Sequence, residues 1–476
     1  MAVFDGRAAW APDGGRVHPA LILLALCLCE LTSSFEAMMV YAALPRLIGV
    51  FGDPNKAGWL VTGHLIVGAG SALIAARMGD LRGRKKVMLA LLSVAALGSL
   101  ISAVSTSFWA VLAGRSMQGI IGAMLPLGIG VAREAFRAEK VPLGVGLIVT
   151  ASSVGSAAGL IVGGAIIDNF DWHWLFAAGA IMLTVSLTAV WLFVPQTPGA
   201  APDHPIDWID GLLPVSGIVA LVLAISLSKA IGWGDPRVLA LLAAGLAIMA
   251  AWAWRNLRTR FPLINLRLLA ERNVAIAIIV SIFMSLGTYH VMLLFAPLMQ
   301  APTWTVVGLG MSATMAGFIK LPSNLLAFTA GPLAGWIASR FNNRAAMIIG
   351  SCFGLAGWGL TSLMPDSVFE LILLLCLISY GTTMLMTGCL NLVALSVPQA
   401  STSEAIASLS VVRTMFMAIG SQMIAVILST QTITEPGGTA KFPGPGAYQT
   451  TIIWIALTVA AGLVSALFVR SRSAAA

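Results

Sequence analysis

The chain has 476 residues, of which 58% are hydrophobic and only 10% charged, a balance that excludes an ordinary soluble globular protein. A formal net charge of +8 would suit a nucleic-acid binder, but here the basic residues punctuate long apolar runs, so nucleic acid is not an expected partner. All five cysteines (Cys27, Cys29, Cys352, Cys376, Cys389) lie inside apolar runs, which argues against a disulfide framework or a metal site.

A membrane-crossing helix needs roughly 20 apolar residues to cover about 30 Å of hydrocarbon. About fourteen such runs follow one another, near 19–48, 57–78, 84–106, 108–135, 140–167, 172–195, 209–230, 236–256, 272–300, 307–338, 344–364, 367–397, 402–430 and 449–470. Backbone groups in lipid must be satisfied internally, so each run is predicted to be a helix. The predicted class is an all-α membrane protein with two six-helix bundles, 1–195 and 272–476. Between them, 196–271 holds two linkers and an extra central helix pair. The linkers are the proline-rich Pro195–Asp207 and the basic Arg255–Arg272, which includes Phe261-Pro262-Leu263. The stretch Gln431–Tyr448, rich in Gly and Pro, is predicted to be irregular.

Placing the N-terminus in the cytoplasm puts Arg77, Arg82, Arg84, Lys85, Lys86, Arg133, Arg137, Lys140, Arg255, Arg258, Arg260, Arg267, Arg272, Arg340, Arg344, Arg470 and Arg472 inside, with Arg7 and Arg16. The opposite face then holds only Arg46, Lys56, Lys229, Arg237 and Lys441, as the positive-inside rule requires. Both termini are expected to be cytoplasmic. The absence of Asn-x-Ser/Thr acceptors, with short loops, leans toward a bacterial inner membrane.

Ionisable residues inside apolar runs mark function by default, because they are costly unless they face protein or water. In the first run Glu30 and Glu36 qualify; six residues are roughly 600° of helix, so the two point about 120° apart. A carboxyl group withdrawn from water can exchange a proton under physiological conditions, which a proton carrier requires. The turn Gly79-Asp80-Leu81-Arg82-Gly83-Arg84-Lys85-Lys86 follows the second run, and a faded copy, Gly335 to Arg344, lies 339 − 80 = 259 residues later. The chain is therefore an internal duplication, the build of a carrier whose halves rock about a central site. Gly83 permits the tight turn. Asp80 can pair with a nearby arginine or with a helix N-terminus, forming a breakable latch between the bundles, with Gly83, Arg84 and, in the second copy, Arg340 as its other members.

Arg115-x-x-Gln118-Gly119-x-x-Gly122 interrupts the fourth run, with Gln118 and Gly122 on the face of Arg115. In the fifth, Gly155, Gly159 and Gly163, with Gly164, make a smooth stripe for close helix packing. Tyr41, His64, Gln118, His290, Lys320 and Arg413 are polar groups in apolar runs and candidates for a substrate cavity.

Several of these segments carry a family resemblance. Ala76-x-Met78-Gly79-Asp80-x-x-Gly83-Arg84-Lys85 resembles the major facilitator superfamily signature between spans 2 and 3, with Ala76 and Met78 departing mildly. Arg115 sits where that superfamily's span-4 arginine is tied to proton relay. The glycine stripe resembles the antiporter motif of drug exporters, except that Leu160 stands where the motif has Pro. Glu36-Ala37-Met38-Met39-Val40-Tyr41-Ala42-Ala43-Leu44-Pro45 resembles the span-1 pattern of the fourteen-span drug:proton antiporter family, with Glu36 for Asp, Met38 for Thr and Tyr41 for Asn.

The resemblance implies a proton-coupled secondary transporter that exports an amphipathic or lipophilic small molecule, a cation among the options, by alternating access. Glu36, Arg115 and Glu30 would couple the proton, and the Asp80 latch would hold the outward-facing state. A lipid or anionic-metabolite carrier of the same fold is the alternative, favoured by Leu160 and the intramembrane cations. No Walker-type loop and no catalytic constellation of His, Ser and acids is present, so an enzyme is not expected, and an ion gradient in place of any cofactor should supply energy. The expected partners are membrane lipid and the small-molecule substrate, with the protein itself a monomer.

Overall fold

A computed structural model describes residues 17–137, 140–196, 207–259, 262, 266–363, 365, 367–397, 402–435 and 441–470. The proline-rich and basic linkers fall largely outside these residues. The first half is built from α1 (Pro19–Phe51), α2 (Pro54–Arg82), α3 (Arg84–Val104), α4 (Phe108–Gln118), α5 (Met124–Ala135), α6 (Val141–Asn169) and α7 (His173–Phe193). Then come α8 (Trp208–Ile231), α9 (Pro236–Arg258) and the short α10 (Leu266–Leu269). The second half has α11 (Arg272–Leu286), α12 (Val291–Gln300), α13 (Ala313–Arg340), α14 (Asn343–Thr361), α15 (Val368–Ser396), α16 (Thr402–Leu428) and α17 (Pro445–Leu467).

The apolar runs thus fold as helices, as the need for internal hydrogen bonding in hydrocarbon dictates. Among the described residues, 11 helices are long and apolar enough to cross a membrane. α2, α13 and α14 stand outside that set; they have 29, 28 and 19 residues and include Lys56, Lys320 and Arg344 respectively.

Three departures from the sequence expectation are local. The fourth run is not one helix: a 3-10 turn over Gly119–Ala123 separates α4 from α5, where two glycines weaken the α-helical preference. Gly122 consequently packs against Gly68 of α2 and does not continue the face of Arg115 and Gln118. The 272–300 run likewise breaks after Gly287 into a 3-10 turn, Thr288–His290. Finally, the Gln431–Tyr448 stretch is not wholly irregular. Two strands, β1 (Thr432–Thr434) and β2 (Lys441–Pro443), pair antiparallel with Ile433 opposite Phe442. Thr-Ile-Thr favours a strand, and Pro443 sits at the end of an edge, where its missing N–H is tolerated.

The chain forms two compact units. Unit 1 comprises residues 1–43 and 63–215; unit 2 comprises 44–62 and 216–476, so the central segment divides within α8. In unit 1, α3 packs on both α4 and α7. A core there gathers Ile22, Leu26, Leu92, Ile121, Leu127 and Leu183. In unit 2, α15 packs on α11, α13, α14 and α16, and Trp358 of α14, fully buried, donates its indole N–H to Thr288 Oγ1 at 3.0 Å.

The 44–62 segment, where α1 turns into α2, joins unit 2 through polar contacts to α8 and α16. Lys229 Nζ binds Asp53 Oδ1 at 2.8 Å, Trp59 Nε1 donates to Ser226 Oγ at 2.8 Å, and the Thr62 and Ser421 hydroxyls are 2.7 Å apart. Gln422 also donates to Asn55 Oδ1.

Candidate functional site

Four helices of unit 1 converge on one buried polar chain. Glu36 (α1) and Arg115 (α4) are 0% and 1% exposed and form an ion pair, Arg115 Nη1 to Glu36 Oε2, at 3.4 Å. The same Nη1 donates to Gln118 Oε1 at 3.0 Å, Gln118 Nε2 donates to Ser99 Oγ of α3 at 2.6 Å, and Ser99 donates to the Phe176 carbonyl of α7 at 2.8 Å. The chain is not saturated: Glu36 Oε1 and Arg115 Nε are buried without a hydrogen-bond partner. A charged pair in a water-poor interior holds by Coulomb attraction and hydrogen bonding together. At 3.4 Å and with one carboxylate oxygen idle, the pair is less than fully engaged.

Small residues make room for this chain. A Cβ on Gly179 of α7 would overlap Glu36 Oε1, so only glycine lets the carboxylate lie there. A Cβ on Gly98 would meet Gly114 O at 2.5 Å, which fixes how closely α3 approaches α4 beside Arg115. On the other side of α1, the stripe of α6 fits its backbone at intervals of four. A Cβ on Gly155 would overlap Leu31 O; one on Gly159 would lie 2.6 Å from Phe35 O; one on Gly163 would lie 3.1 Å from Met39 Cα. Gly164 and Leu160 are buried on the same helix. The predicted stripe thus clamps the helix that carries Glu36.

The other sequence-nominated residues are distributed as follows. Glu30 is buried nearly two turns before Glu36 and lies beside Ser152, apart from the Glu36–Arg115 chain. Tyr41 is buried within electrostatic reach of Arg115. His64 is buried against the Arg115–Gly119 segment, since a Cβ on Gly119 would overlap its carbonyl, and its Nδ1 has no partner.

At the turn after α2, Gly83 has φ 90, a conformation glycine alone adopts freely. Arg84 is the centre of the ion pairs at this turn: it pairs with Asp80 at 2.6 Å and with Glu134 of α5, and its Nη1 lies 3.4 Å from Gly130 O. These partners all lie within unit 1. Arg340 is exposed at the end of α13, with no carboxylate paired to it among the described residues.

In unit 2, His290 is buried with Nε2 3.0 Å from Ser285 O and Nδ1 unpartnered. Lys320 Nζ donates to Ser379 Oγ at 2.6 Å, and Arg413 Nη1 lies 3.5 Å from Met386 Sδ.

Sequence reading missed Ser99 and Gly179. Neither belongs to a motif, and the only signal was a small residue inside an apolar run, which is far more often plain packing.

Long apolar helices around a buried, incompletely satisfied ion pair are the build of an integral membrane protein. The sequence matches the Major Facilitator Superfamily over residues 26–421, and the chain belongs to that family. A tetracenomycin C resistance and export protein of Streptomyces glaucescens is 25% identical over 403 residues, covering 83% of this chain and 73% of the relative. Multidrug resistance protein 3 of Bacillus subtilis is 25% identical over 352 residues, 73% of this chain and 67% of the relative. Among solved structures, an auto-inhibited peptide transporter of the POT family superposes with a TM-score of 0.66 at 14% identity, covering 96% of this chain and 99% of that one. That likeness speaks for the fold.

Proposed function

We propose that this transporter is a fourteen-crossing, proton-coupled exporter of an amphipathic or lipophilic small molecule, working by alternating access with both termini in the cytoplasm. The observation that carries the reading is the Glu36–Arg115 pair, fully buried, under-satisfied and wired through Gln118 and Ser99 to α7. With Glu36 ionised, its attraction to Arg115 holds α1 to α4; when Glu36 takes a proton, that attraction is lost and the guanidinium must find other partners. Proton binding therefore changes which arrangement of the helices is favoured, the differential interaction that a coupled conformational change needs. The glycine clamp from α6 transmits any movement of Glu36 along α1. The relatives named for export and for multidrug resistance support the direction and breadth of transport.

The test is flux of a lipophilic cation in liposomes holding the purified protein under an imposed pH gradient, comparing wild type with Glu36→Gln. Gradient-driven flux should be present in the wild type and fall to the level of empty liposomes in the variant. Equal flux in both would remove Glu36 from coupling. A wild type indifferent to both the cation and the gradient would sink cation export and turn the search to lipids and anionic metabolites.

A further inference from the structure

The two units treat the cations inside their apolar runs differently. In unit 1, Arg115 has Glu36 beside it. In unit 2, Lys320 of α13 is 6% exposed and, among the described residues, has a single hydrogen-bond partner, the Ser379 hydroxyl on α15, which leaves two of the three ammonium donors unused there. Arg413 of α16, half-buried, meets the same helix at Met386 and lies within electrostatic reach of Tyr289, both neutral groups.

The acidic residues of unit 2 whose side chains are described are Asp53, Asp235, Glu271, Glu370 and Glu435; Glu404 stands in the first turn of α16, nine residues before Arg413. The first five stand at helix ends or in loops, and none of them pairs with Lys320 or Arg413. Ser379 and Met386 are seven residues apart on α15, so they lie on one face, two turns or about 10.5 Å apart along the axis. Thr383 falls on that face between them. A buried cation without a counter-charge is costly, and a second, half-buried cation against the same face of α15 adds to that cost.

We propose that the face of α15 between Lys320 and Arg413 is a seat for an anionic head group, a carboxylate or phosphate carried on an apolar body. The ammonium supplies free donors at one end, the guanidinium a planar fork at the other, and Thr383 a hydroxyl between. The proposal deepens the transporter reading and rests on it: the negative charge of a membrane lipid, or of an anionic member of the transported amphiphiles, is neutralised in unit 2 while the proton is handled by Glu36 in unit 1.

The test uses full-length protein in a non-ionic detergent and matched ten-carbon probes: decanoate, decanol and decyltrimethylammonium. Decanoate should bind more tightly than decanol to the wild type, and about tenfold more weakly to Lys320→Gln and to Arg413→Gln, the loss of roughly one charge-assisted contact. Decanol affinity should not move, and Lys320→Arg should retain decanoate binding. Decanoate binding equal to decanol, or an equal loss of both probes in the variants, overturns the seat; the second result means the side chains are only structural.

Source is read by adding phosphatidylglycerol to the micelles. Competition with decanoate identifies a lipid head group as the occupant, and charge-selective binding without competition identifies a free amphiphile; both outcomes uphold the seat. Because this assay reads binding without a gradient, it stays separate from the Glu36→Gln flux. A failed seat with intact proton-driven flux leaves the transporter reading standing, and the reverse leaves the seat standing.

Discussion

Glu36 and Arg115 each keep the other tolerable inside unit 1, and that mutual dependence makes the pair testable at the level of single side chains. Replacing Arg115 with Met leaves a carboxylate 0% exposed with no counter-charge. Stranding one member of a buried pair typically costs about 3–5 kcal/mol, whereas replacing both members is often close to neutral. Arg115→Met should therefore lower the melting temperature sharply, and Glu36→Gln combined with Arg115→Met should recover most of the loss. Thermal unfolding in detergent reads this coupling. A double variant no more stable than Arg115→Met would show that the pair contributes little and that Arg115 acts through Gln118 or its packing. The recovered protein should nonetheless stay silent in gradient-driven flux, since the group proposed to exchange the proton is gone.

At the scale of elements, the stripe on α6 is where spacing in the sequence and packing in three dimensions coincide. Glycines four apart lie on one face of any helix, so Gly155, Gly159 and Gly163 could be read as a contact surface without knowing the partner. The partner, the backbone of α1 at Leu31, Phe35 and Met39, could not be read. Gly159→Leu would drive side-chain atoms into the Phe35 carbonyl and Met38 Cβ, neither of which can yield as a flexible side-chain tip could. The expected cost is about 1–3 kcal/mol by overpacking, with α1 displaced and proton coupling impaired. Gly146 is the internal control: it lies on the same helix, yet a Cβ there meets nothing within 4 Å. Gly146→Ala should leave flux unchanged and stability unchanged or raised by up to about 1 kcal/mol. Equal effects of the two substitutions would count against the clamp.

The same comparison shows why other parts stayed hidden. An arginine in an apolar run announces itself, and so did Glu36. Ser99 and Gly179 act only because α3 and α7 bring them to the relay, and nothing local distinguishes them from filler. The breaks at Gly119–Ala123 and Thr288–His290 escaped for a related reason: hydropathy is blind to whether a run is one helix or two. The latch was legible as a turn with an acid and several bases, but not the dominance of Arg84 over Asp80, which depends on Glu134 arriving from α5.

For the whole molecule, the number of crossings decides on which side every loop lies, because an odd count and an even count put the termini on opposite faces. Eleven helices qualify by length and composition among the described residues, yet counting those eleven alone conflicts with the charge distribution. If α2 did not cross, the cluster Arg77, Arg82, Arg84, Lys85 and Lys86 would share a face with Arg46 and Lys56. Each later helix up to α13 would then be inverted, placing Arg133, Arg137 and Lys140 outside as well. The positive-inside rule is counted over such short loops and argues firmly for the alternative in which α2, α13 and α14 also cross.

Gly234, in the turn between α8 and α9, separates the two maps: it is outside with fourteen crossings and inside with eleven. A side chain there meets nothing within 4 Å, so Gly234→Cys should be tolerated and reachable. Ser339, at the end of α13, is cytoplasmic in both maps and serves as the reference. In a background with all five native cysteines replaced, a membrane-impermeant maleimide should label Gly234→Cys in right-side-out vesicles and Ser339→Cys only in inverted ones. Labelling of both solely in inverted vesicles would establish the odd count, move the C-terminus outside, and require the basic turn after α2 to face away from the cytoplasm.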